Sequence, residues 1–580
     1  MGRAGGRVDS AAAEEPAMTA SRSPVGRGRS AFGLAFVALS LSFPCGARGQ
    51  QPPADLPRVT GAAELTLFNV DVVVTGKDGK PVAGLAAVDF TVRHGGRPAT
   101  ITNFREERPA GSRAAAASPA PHPAGPPAAP ADATAASPEL PDARRVPRHV
   151  IVFVDHLALP DPREREEVFG SLKALLRNSI SPGDGAMVVA WKGGVQRVFP
   201  FTDDVPLLEA RLDAVSRSAI RLGRDVQEEL DKLAGDDLAY AWAGVGDSSM
   251  SRNLNVQQAY TEFKGKATAL TGLVASMAGM EGRKALVLVS RSFSRRPGAE
   301  FFGTTMDTRG LLDRLVAKAN AAGVTIHSLY AAAWESEAPN VSNSMLWDPR
   351  AAGASGLSRA QAKWVGEMAA LEDLADETGG VVIGTTMEAP LFAERVASDL
   401  DSWYSIGYPA PAGAGRAAAV EVRVNRPGVT VRLRRSVVER SADEEMEDRV
   451  LANLFRADAN ARLPIAVTSG KQVKERKGRY VTPLVVRVPV RRLVLLPSPA
   501  GAKGAVSLFV VSGGAVGDFS DVSRERREVE LPAAAVGPAS TEIVTFETQV
   551  VTADPGARVS IGVRDEVGGE AGFRLLSPSR

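Results

Sequence analysis

The sequence predicts a multidomain protein of α/β and all-β parts: a central doubly wound sheet, a small N-terminal β-domain before it and a C-terminal β-sandwich after it. Three observations carry that reading. Between 148 and 408, short buried strands alternate with amphipathic helices, the order that builds a mostly parallel sheet. At 62–105, and again from Leu463 to the end, the apolar period drops to two between Gly- and Pro-bearing turns. Between the first two regions, from Pro109 to Pro147, the composition collapses to Ala, Pro, Ser and Gly, which buries no core and reads as a partly polyproline linker.

A chain of 580 residues exceeds one ordinary core, and roughly 100 to 200 residues per domain suggests three or four units. Sixty-nine basic against sixty-seven acidic side chains leave no global field that would argue for nucleic acid or an anionic membrane. The first fifty residues read as an export signal. Arg22, Arg27 and Arg29 precede the apolar run Ala31–Phe43, and Ala47-Arg48-Gly49 supplies a cleavage site before Gln50. That run is too short to span a bilayer, so no stable membrane span is expected after signal cleavage. Met18 is an alternative start to Met1. The only cysteine, Cys45, lies inside this signal behind Phe43-Pro44, a poor lipobox, and the mature chain would hold neither a disulfide nor a thiolate metal site.

Taken in order, the expected organisation is a signal at 1–49, the small β-domain at 50–107, the linker at 108–147, the α/β domain at 148–408, a β-hairpin extension at 409–440 and a sandwich-like domain at 441–580. In the first β-unit, Leu65, Leu67, Val70, Val72 and Val74 run to the Asp-Gly turn of Lys77-Asp78-Gly79-Lys80. In the α/β region the strand His149–Val154 leads to Asp161-Pro162, a cap and first-turn proline, and to a helix with Val168, Phe169, Leu172, Leu175 and Leu176 on one face. Strands follow at 186–191 and 195–201, a helix at 205–215, a polar insertion at 220–253 and a helix at 256–280. The run Ala285–Ser290 reads as a fully buried strand. Helix 311–322, strand 324–330, helix 363–377, strand 381–384 and helix 390–400 close the series. About six strand–helix units favour a doubly wound sheet over a barrel, which needs eight.

One loop of this sheet decides the site. The strand ends in Asp155, at the carboxyl edge where open α/β sheets build their ligand crevices, and continues His156-Leu157-Ala158-Leu159. His149 and His156 have opposite parity on an extended chain and do not share a metal. His327 sits in an apolar strand and reads as a core histidine with its hydrogen bonds satisfied. Trp334, Trp347 and Trp364 flank a loop rich in Asn, Ser and Met at a strand end, a setting for a partner-binding patch or for packing beneath a long loop. The Arg434-Arg435 and Arg491-Arg492 pairs read as solvated strand ends. No Gly-x-Ser-x-Gly elbow, His-Glu-x-x-His, P-loop or dinucleotide fingerprint occurs, and the missing nucleophile motif argues against hydrolase chemistry.

Several stretches together resemble the acidobacterial VWFA-related domain family of exported bacterial proteins, whose centre is von Willebrand factor A-like. They are Val72–Leu85 with Asp89-Phe90, the strand opened by Gly282-Arg283-Lys284, Glu377-Thr378-Gly379-Gly380, and Tyr404-Ser405-Ile406-Gly407-Tyr408 leading to Arg426-Pro427-Gly428. The stretch Val559–Gly572 is similar to the terminal strands of the sandwich that some members carry. The resemblance implies a Rossmann-like sheet and, in the better-known relatives, a Mg²⁺ held at the strand ends by an Asp-x-Ser-x-Ser loop to bind a partner's carboxylate. Asp155 matches the first ligand. Leu157 and Leu159 stand at the two serine positions, and Ser290-Arg291-Ser292 stands where relatives often have Ser-Asp-Gly. The intermediate threonine is left open among Thr202, Thr268 and Thr271. A hard cation wants roughly six oxygens, so Asp155 and Ser290 are the metal candidates of a site expected to be degenerate. The other reading of Asp155 is a helix cap or a pair with a nearby arginine.

The function expected is that of an exported, non-enzymatic protein, in the periplasm, the cell envelope or secreted, that binds an unidentified protein partner or serves adhesion. No nucleic acid and no cofactor are expected. His156, Arg291, Trp334 and Trp347 are the candidate binding rim. Two alternatives stay open: a Mg²⁺-dependent ligand-binding module, and an envelope enzyme with an unrecognised site.

Overall fold

The computed structural model describes residues 67–108, 145–155, 159, 162–191, 195–217, 249–291, 293–297, 306–331, 359–411, 417–458, 461–475, 478–499, 501–513, 519–532, 535 and 541–577. The export signal, most of the linker and most of the 220–253 insertion lie outside them. The chain begins with β1 (Leu67–Gly76), β2 (Phe90–His94), β3 (Arg97–Ala99) and β4 (Asn103–Glu107). After β1 the expected turn is present: Gly79 takes φ 76°, and the Gly76 N–H donates to Lys80 O at 2.9 Å. A side chain at Gly79 would be strained there.

The α/β region follows as β5 (Arg148–Asp155), α1 (Pro162–Ser179), β6 (Gly185–Trp191), β7 (Val195–Thr202), α2 (205–217), α3 (Ser249–Met277), β8 (Arg283–Ser290), α4 (Arg309–Ala322), β9 (Val324–Tyr330), α5 (Arg359–Thr378), β10 (Val382–Ile383) and α6 (Ala389–Asp401). The sheet order is β10-β9-β8-β5-β6-β7. All neighbours are parallel except β7, which runs antiparallel along β6. Every residue of β5 is buried, because the sheet is covered on both faces. Val150, Val152 and Val154 pack with Val168, Leu172 and Leu176 of α1 and Phe392 and Val396 of α6. The alternate residues Ile151 and Phe153 pack with α3, α4 and α5 through Leu270, Leu315 and Leu371. Helix α4 stops at Gly323, whose φ of 69° gives the left-handed cap that commonly ends a helix.

Beyond α6 come β11 (Trp403–Pro409), β12 (Ala417–Val424), β13 (Val429–Leu433) and β14 (Ser436–Val438). They correct the expected organisation. The N-terminal strands do not make a sheet by themselves: one sheet runs β13-β1-β11-β4 and a second β14-β12-β2-β3. Their inner faces share one core of Phe68, Val70, Val72, Phe90, Val92, Tyr404, Ile406, Tyr408 and Val420. The described strands of the segments expected as a small domain at 50–107 and a hairpin at 409–440 belong to this one sandwich. The strand Trp403–Pro409, assigned from sequence to the α/β domain, is a central strand of it. Because Trp403 pairs with Glu107, the α/β region is an insertion that leaves from one strand of the sandwich and returns on its neighbour. Sequence periodicity gives each strand and is silent about partners 300 residues away.

Helix α7 (Ala442–Asn453) opens with a capping box in which Ser441 N–H donates to Glu444 at 2.8 Å and Glu444 N–H to Ser441 Oγ at 3.3 Å. Then come β15 (Ala466–Ser469), β16 (Val473–Lys474), β17 (Tyr480–Pro489), β18 (Leu496–Ser498), β19 (Gly501–Gly513), β20 (Ser523–Pro532), β21 (Ile543–Thr552), β22 (Arg558–Asp565) and β23 (Ala571–Leu576). Strands β15, β16, β17 and β21 form one sheet and the other five a second. Leu484, Val486 and Phe546 of the first pack on Val506, Leu508, Ile561 and Val563 of the second. The opposite face of β19, Phe509 and Val511, packs with Met446 and Val450 of α7 and, through them, with the α3 core. Both faces of β19 are therefore covered, and 505–513 are buried throughout.

The first sandwich is tied to the α/β region by arginines. Arg432 on β13 grips the buried Asp399 of α6 with two nitrogens, at 2.5 and 2.6 Å. Arg283 reaches Asp71 at 3.1 Å, and Arg434 donates to Asn320 O at 3.0 Å and Asn69 O at 2.9 Å. Arg434 is therefore a junction residue and not the solvated strand end expected from sequence, while Arg435 is exposed beside Glu377. Burial lowers the Arg434 pKa from the ordinary guanidinium value, with Asp71 opposing the shift.

Candidate functional site

Parallel strands end together, so their last residues form a row on one edge of the sheet. Asp155 of β5 is in register with Trp191 of β6, and Ser290 of β8 with Tyr330 of β9. Asp155 and Ser290 are 0 % exposed, and Ser290 Oγ donates to Asp155 Oδ2 at 3.0 Å. The structure thus brings the two metal candidates together at one oxygen.

The third member comes from α3, and sequence reasoning missed it. Lys266 is also 0 % exposed; its Nζ lies 2.5 Å from Asp155 Oδ2, 3.3 Å from Ser290 Oγ and 3.4 Å from Glu262 Oε1 one turn earlier. The buried face of α3 is Phe263, Ala267, Leu270, Val274 and Met277, and Lys266 falls inside that stripe, three residues after Phe263 and four before Leu270. A lysine at a core position of an apolar face was the available signal, because a buried ammonium demands an anionic partner. Its neighbour Gly265 faces the Trp191 indole, which lies 3.4 Å from where a Cβ would stand, an ordinary van der Waals distance. The Phe263 and Phe293 rings are 4.6 Å apart. On the β9 side, Tyr330 donates to Glu367 of α5 at 2.9 Å, and both are buried.

Burial depresses the Lys266 pKa, but Asp155, Glu262 and Glu367 outweigh it and hold the ammonium above the ordinary lysine range. The group is a fixed cation. Its distance to Asp155 Oδ2 leaves no room for a divalent ion on that oxygen without two positive charges nearly in contact, a repulsion that low polarity magnifies. None of the three candidate threonines reaches the cluster as a ligand. Thr268 and Thr271 each donate at 2.8 Å to the carbonyl four residues back in their own helix, and Thr202 Oγ1 accepts from Asp204 N–H at 3.2 Å. Among the described residues no group of three or more His, Asp or Glu side chains is arranged to hold a metal. The described residues of this strand edge therefore do not fit the Mg²⁺ site that the resemblance implies.

Asp155 pairs with a lysine, Lys266. Leu159 is buried beneath α1, its carbonyl accepting from Arg165 Nε at 3.3 Å, so it packs in the core and not at the rim. Arg291 is half-buried directly after Ser290. His156, Leu157, Trp334 and Trp347 lie outside the described residues. His149 lies at the opposite end of β5, with Nε2 on Glu281 O at 2.9 Å and Nδ1 facing Arg456 at 3.3 Å. Burial, reinforced by Arg456, lowers its pKa to about 4. His327 accepts the Val381 N–H at 3.2 Å, and burial lowers its pKa to about 4 against the pull of Asp399. Only one ring nitrogen of His327 is bonded; Nε2 has no hydrogen-bond partner among the described residues.

No family model matches the chain, and no curated protein does. Among solved structures, a Northeast Structural Genomics Consortium target is similar at 14 % identity over 21 % of this chain and 85 % of its own, with a TM-score of 0.13. A von Willebrand factor type A protein from Catenulispora acidiphila is similar at 12 % identity over 53 % of this chain and 71 % of its own, with a TM-score of 0.22. A β-glucosidase from Listeria innocua, in complex with glucose, is similar at 9 % identity over 76 % of this chain and 46 % of its own, with a TM-score of 0.12. At these TM-scores the likenesses carry no argument, and the fold rests on the strand order and registers above. No helix among the described residues is long and apolar enough to cross a membrane.

Proposed function

We propose that the chain is an exported, non-enzymatic protein whose central von Willebrand A-like, doubly wound domain serves protein–protein interaction or adhesion without a metal ion. The observation that carries this reading is the Lys266–Asp155 pair, because it fills with a side chain the position from which a metal-dependent module would hold its ligand. Support for the von Willebrand A-like assignment comes from the strand order, third, second, first, fourth, fifth and sixth, which is that of doubly wound nucleotide-binding sheets as well. Fold alone does not assign a function, and the absence of nucleophile and phosphate-loop motifs favours binding over catalysis. Export is read from the basic, apolar and small-residue segments of 22–49.

Calorimetry of the mature chain with Mg²⁺ and Mn²⁺ tests this function. No saturable heat is expected, and tight binding that disappears in Asp155→Ala overturns the metal-independent reading in favour of a Mg²⁺-dependent module. Affinity capture from envelope extracts, followed by a binding measurement with the purified partner, then tests the interaction role. N-terminal sequencing of the secreted form tests cleavage before Gln50.

A further inference from the structure

We infer that the Lys266 ammonium is the resident cation of the strand-end site, a side chain that neutralises Asp155 and orients Ser290, and that its removal opens a binding site for small cations. Three observations converge. The Nζ contacts oxygens on three different elements, Asp155 of β5, Ser290 of β8 and Glu262 of α3. The ammonium donates to Asp155 Oδ2 at 2.5 Å and to Ser290 Oγ at 3.3 Å, and Glu262 Oε1 lies within ion-pair distance at 3.4 Å. Second, the residue stands in the packed face of α3, where leucine would fill the space with neither desolvation nor the rotamer entropy of a long chain to offset. Its presence there is explained by the anion it meets. Third, a further acid lies near it: Glu367 of α5, buried and accepting from Tyr330 Oη at 2.9 Å, adds negative charge that favours the ammonium.

The consequence is a self-ligated site. The cation arrives with the folding of α3, requires no ion from the medium, and offers no open coordination position to a partner's carboxylate. The inference concerns the interior of this domain and holds whether or not the chain is exported or adhesive.

Thermal unfolding of the full chain tests it with two probes, Mg²⁺ and methylammonium, against choline at equal ionic strength. For the native chain, none of the three should move the melting temperature relative to the others. Lys266→Ala leaves Asp155 uncompensated, and a loss of roughly 10 °C is expected. In that variant, Mg²⁺ or methylammonium should recover part of the loss where choline, too bulky for the vacated space, does not. Should Lys266→Ala not fold, the double variant Asp155→Asn with Lys266→Met decides, since it removes both charges while keeping volume: melting above both single variants supports the inference. Stabilisation of the native chain by Mg²⁺, a Lys266→Ala variant that melts like the native chain, equal effects of methylammonium and choline on a folded Lys266→Ala, or a double variant no better than the singles would each overturn it.

Discussion

The Lys266 ammonium sits 2.5 Å from Oδ2 of Asp155 with both side chains sealed from solvent, so the acid at the end of the first parallel strand is answered from a helix 111 residues further along the chain. A pair of this kind contributes little net stability relative to apolar residues of the same shape. Breaking it is another matter, because the survivor remains buried and charged. Asp155→Ala should lower the unfolding free energy by about 3 to 5 kcal/mol, read from urea midpoints, whereas Glu262→Gln, at the more exposed contact, should cost under about 1 kcal/mol. Equal losses in the two variants would contradict the assignment of Asp155 as the principal partner.

Arg432 and Asp399 make the strongest link between the first sandwich and the α/β region, a two-pronged contact to a carboxylate that is 1 % exposed. Arg432→Lys retains the charge and loses the planar fork, so it should recover only part of the loss seen in Arg432→Ala. The Ala variant is expected to lose about 3 kcal/mol and to become sensitive to limited proteolysis near 402–411. Indistinguishable Lys and native proteins would mean the fork geometry is immaterial.

Acid should unfold the protein through its buried histidines. His149 and His327 have folded pKa values of about 4 against an ordinary 6.5, so the unfolded chain binds their protons first as pH falls. The stability they support is full above pH 6.5 and is lost as pH drops towards 4, at a cost of about 2 kcal/mol per histidine by pH 5 and about 3 by pH 4. Denaturant titrations at pH 7, 6 and 5 should show this slope, and His327→Gln should flatten it by about half. A flat profile between pH 7 and 5 would count against both pKa directions.

Glycine substitutions should grade by what the new Cβ meets. At Gly84, φ is 74° and nothing lies within 4 Å, so Gly84→Ala should cost only the left-handed backbone strain, about 1 to 2 kcal/mol. At Gly282, φ is 100° and the Cβ would stand 2.1 Å from Pro147 O; at Gly380 it would stand 1.9 Å from Ile326 O. Both are backbone collisions where the chain enters a strand of the sheet, and soluble yield with a cooperative melt should be lost in Gly282→Ala and Gly380→Ala. Comparable yields for all three variants would contradict the close approaches.

Two positive-φ glycines, Gly282 and Gly379, explain part of the sequence resemblance in physical terms. In Gly282-Arg283-Lys284, the glycine lets the chain entering β8 pass Pro147, Arg283 reaches Asp71, and Lys284 donates to Met280 O, just beyond the end of α3, at 2.9 Å. Gly379, with φ 77°, brings the end of α5 against the backbone of Leu433, and Tyr404 donates to Val82 O at 2.8 Å. Much of that pattern is the joint between the sandwich and the α/β region.

By itself the sequence determined the elements. Period-two and fully apolar strands, the Pro162 helix start and the Gly79 turn follow from local sterics and from which faces are covered, information that neighbours in the chain carry. It also placed Asp155 at a strand end. Partnership belonged to the tertiary structure: that β1 pairs with β11, that Arg434 leaves solvent for a junction, and that Asp155 meets Lys266. Each of these joins residues more than 100 positions apart. Such contacts leave no periodic trace, since any lysine that keeps the helical spacing reads as one polar residue on a face until the anion across the gap is known.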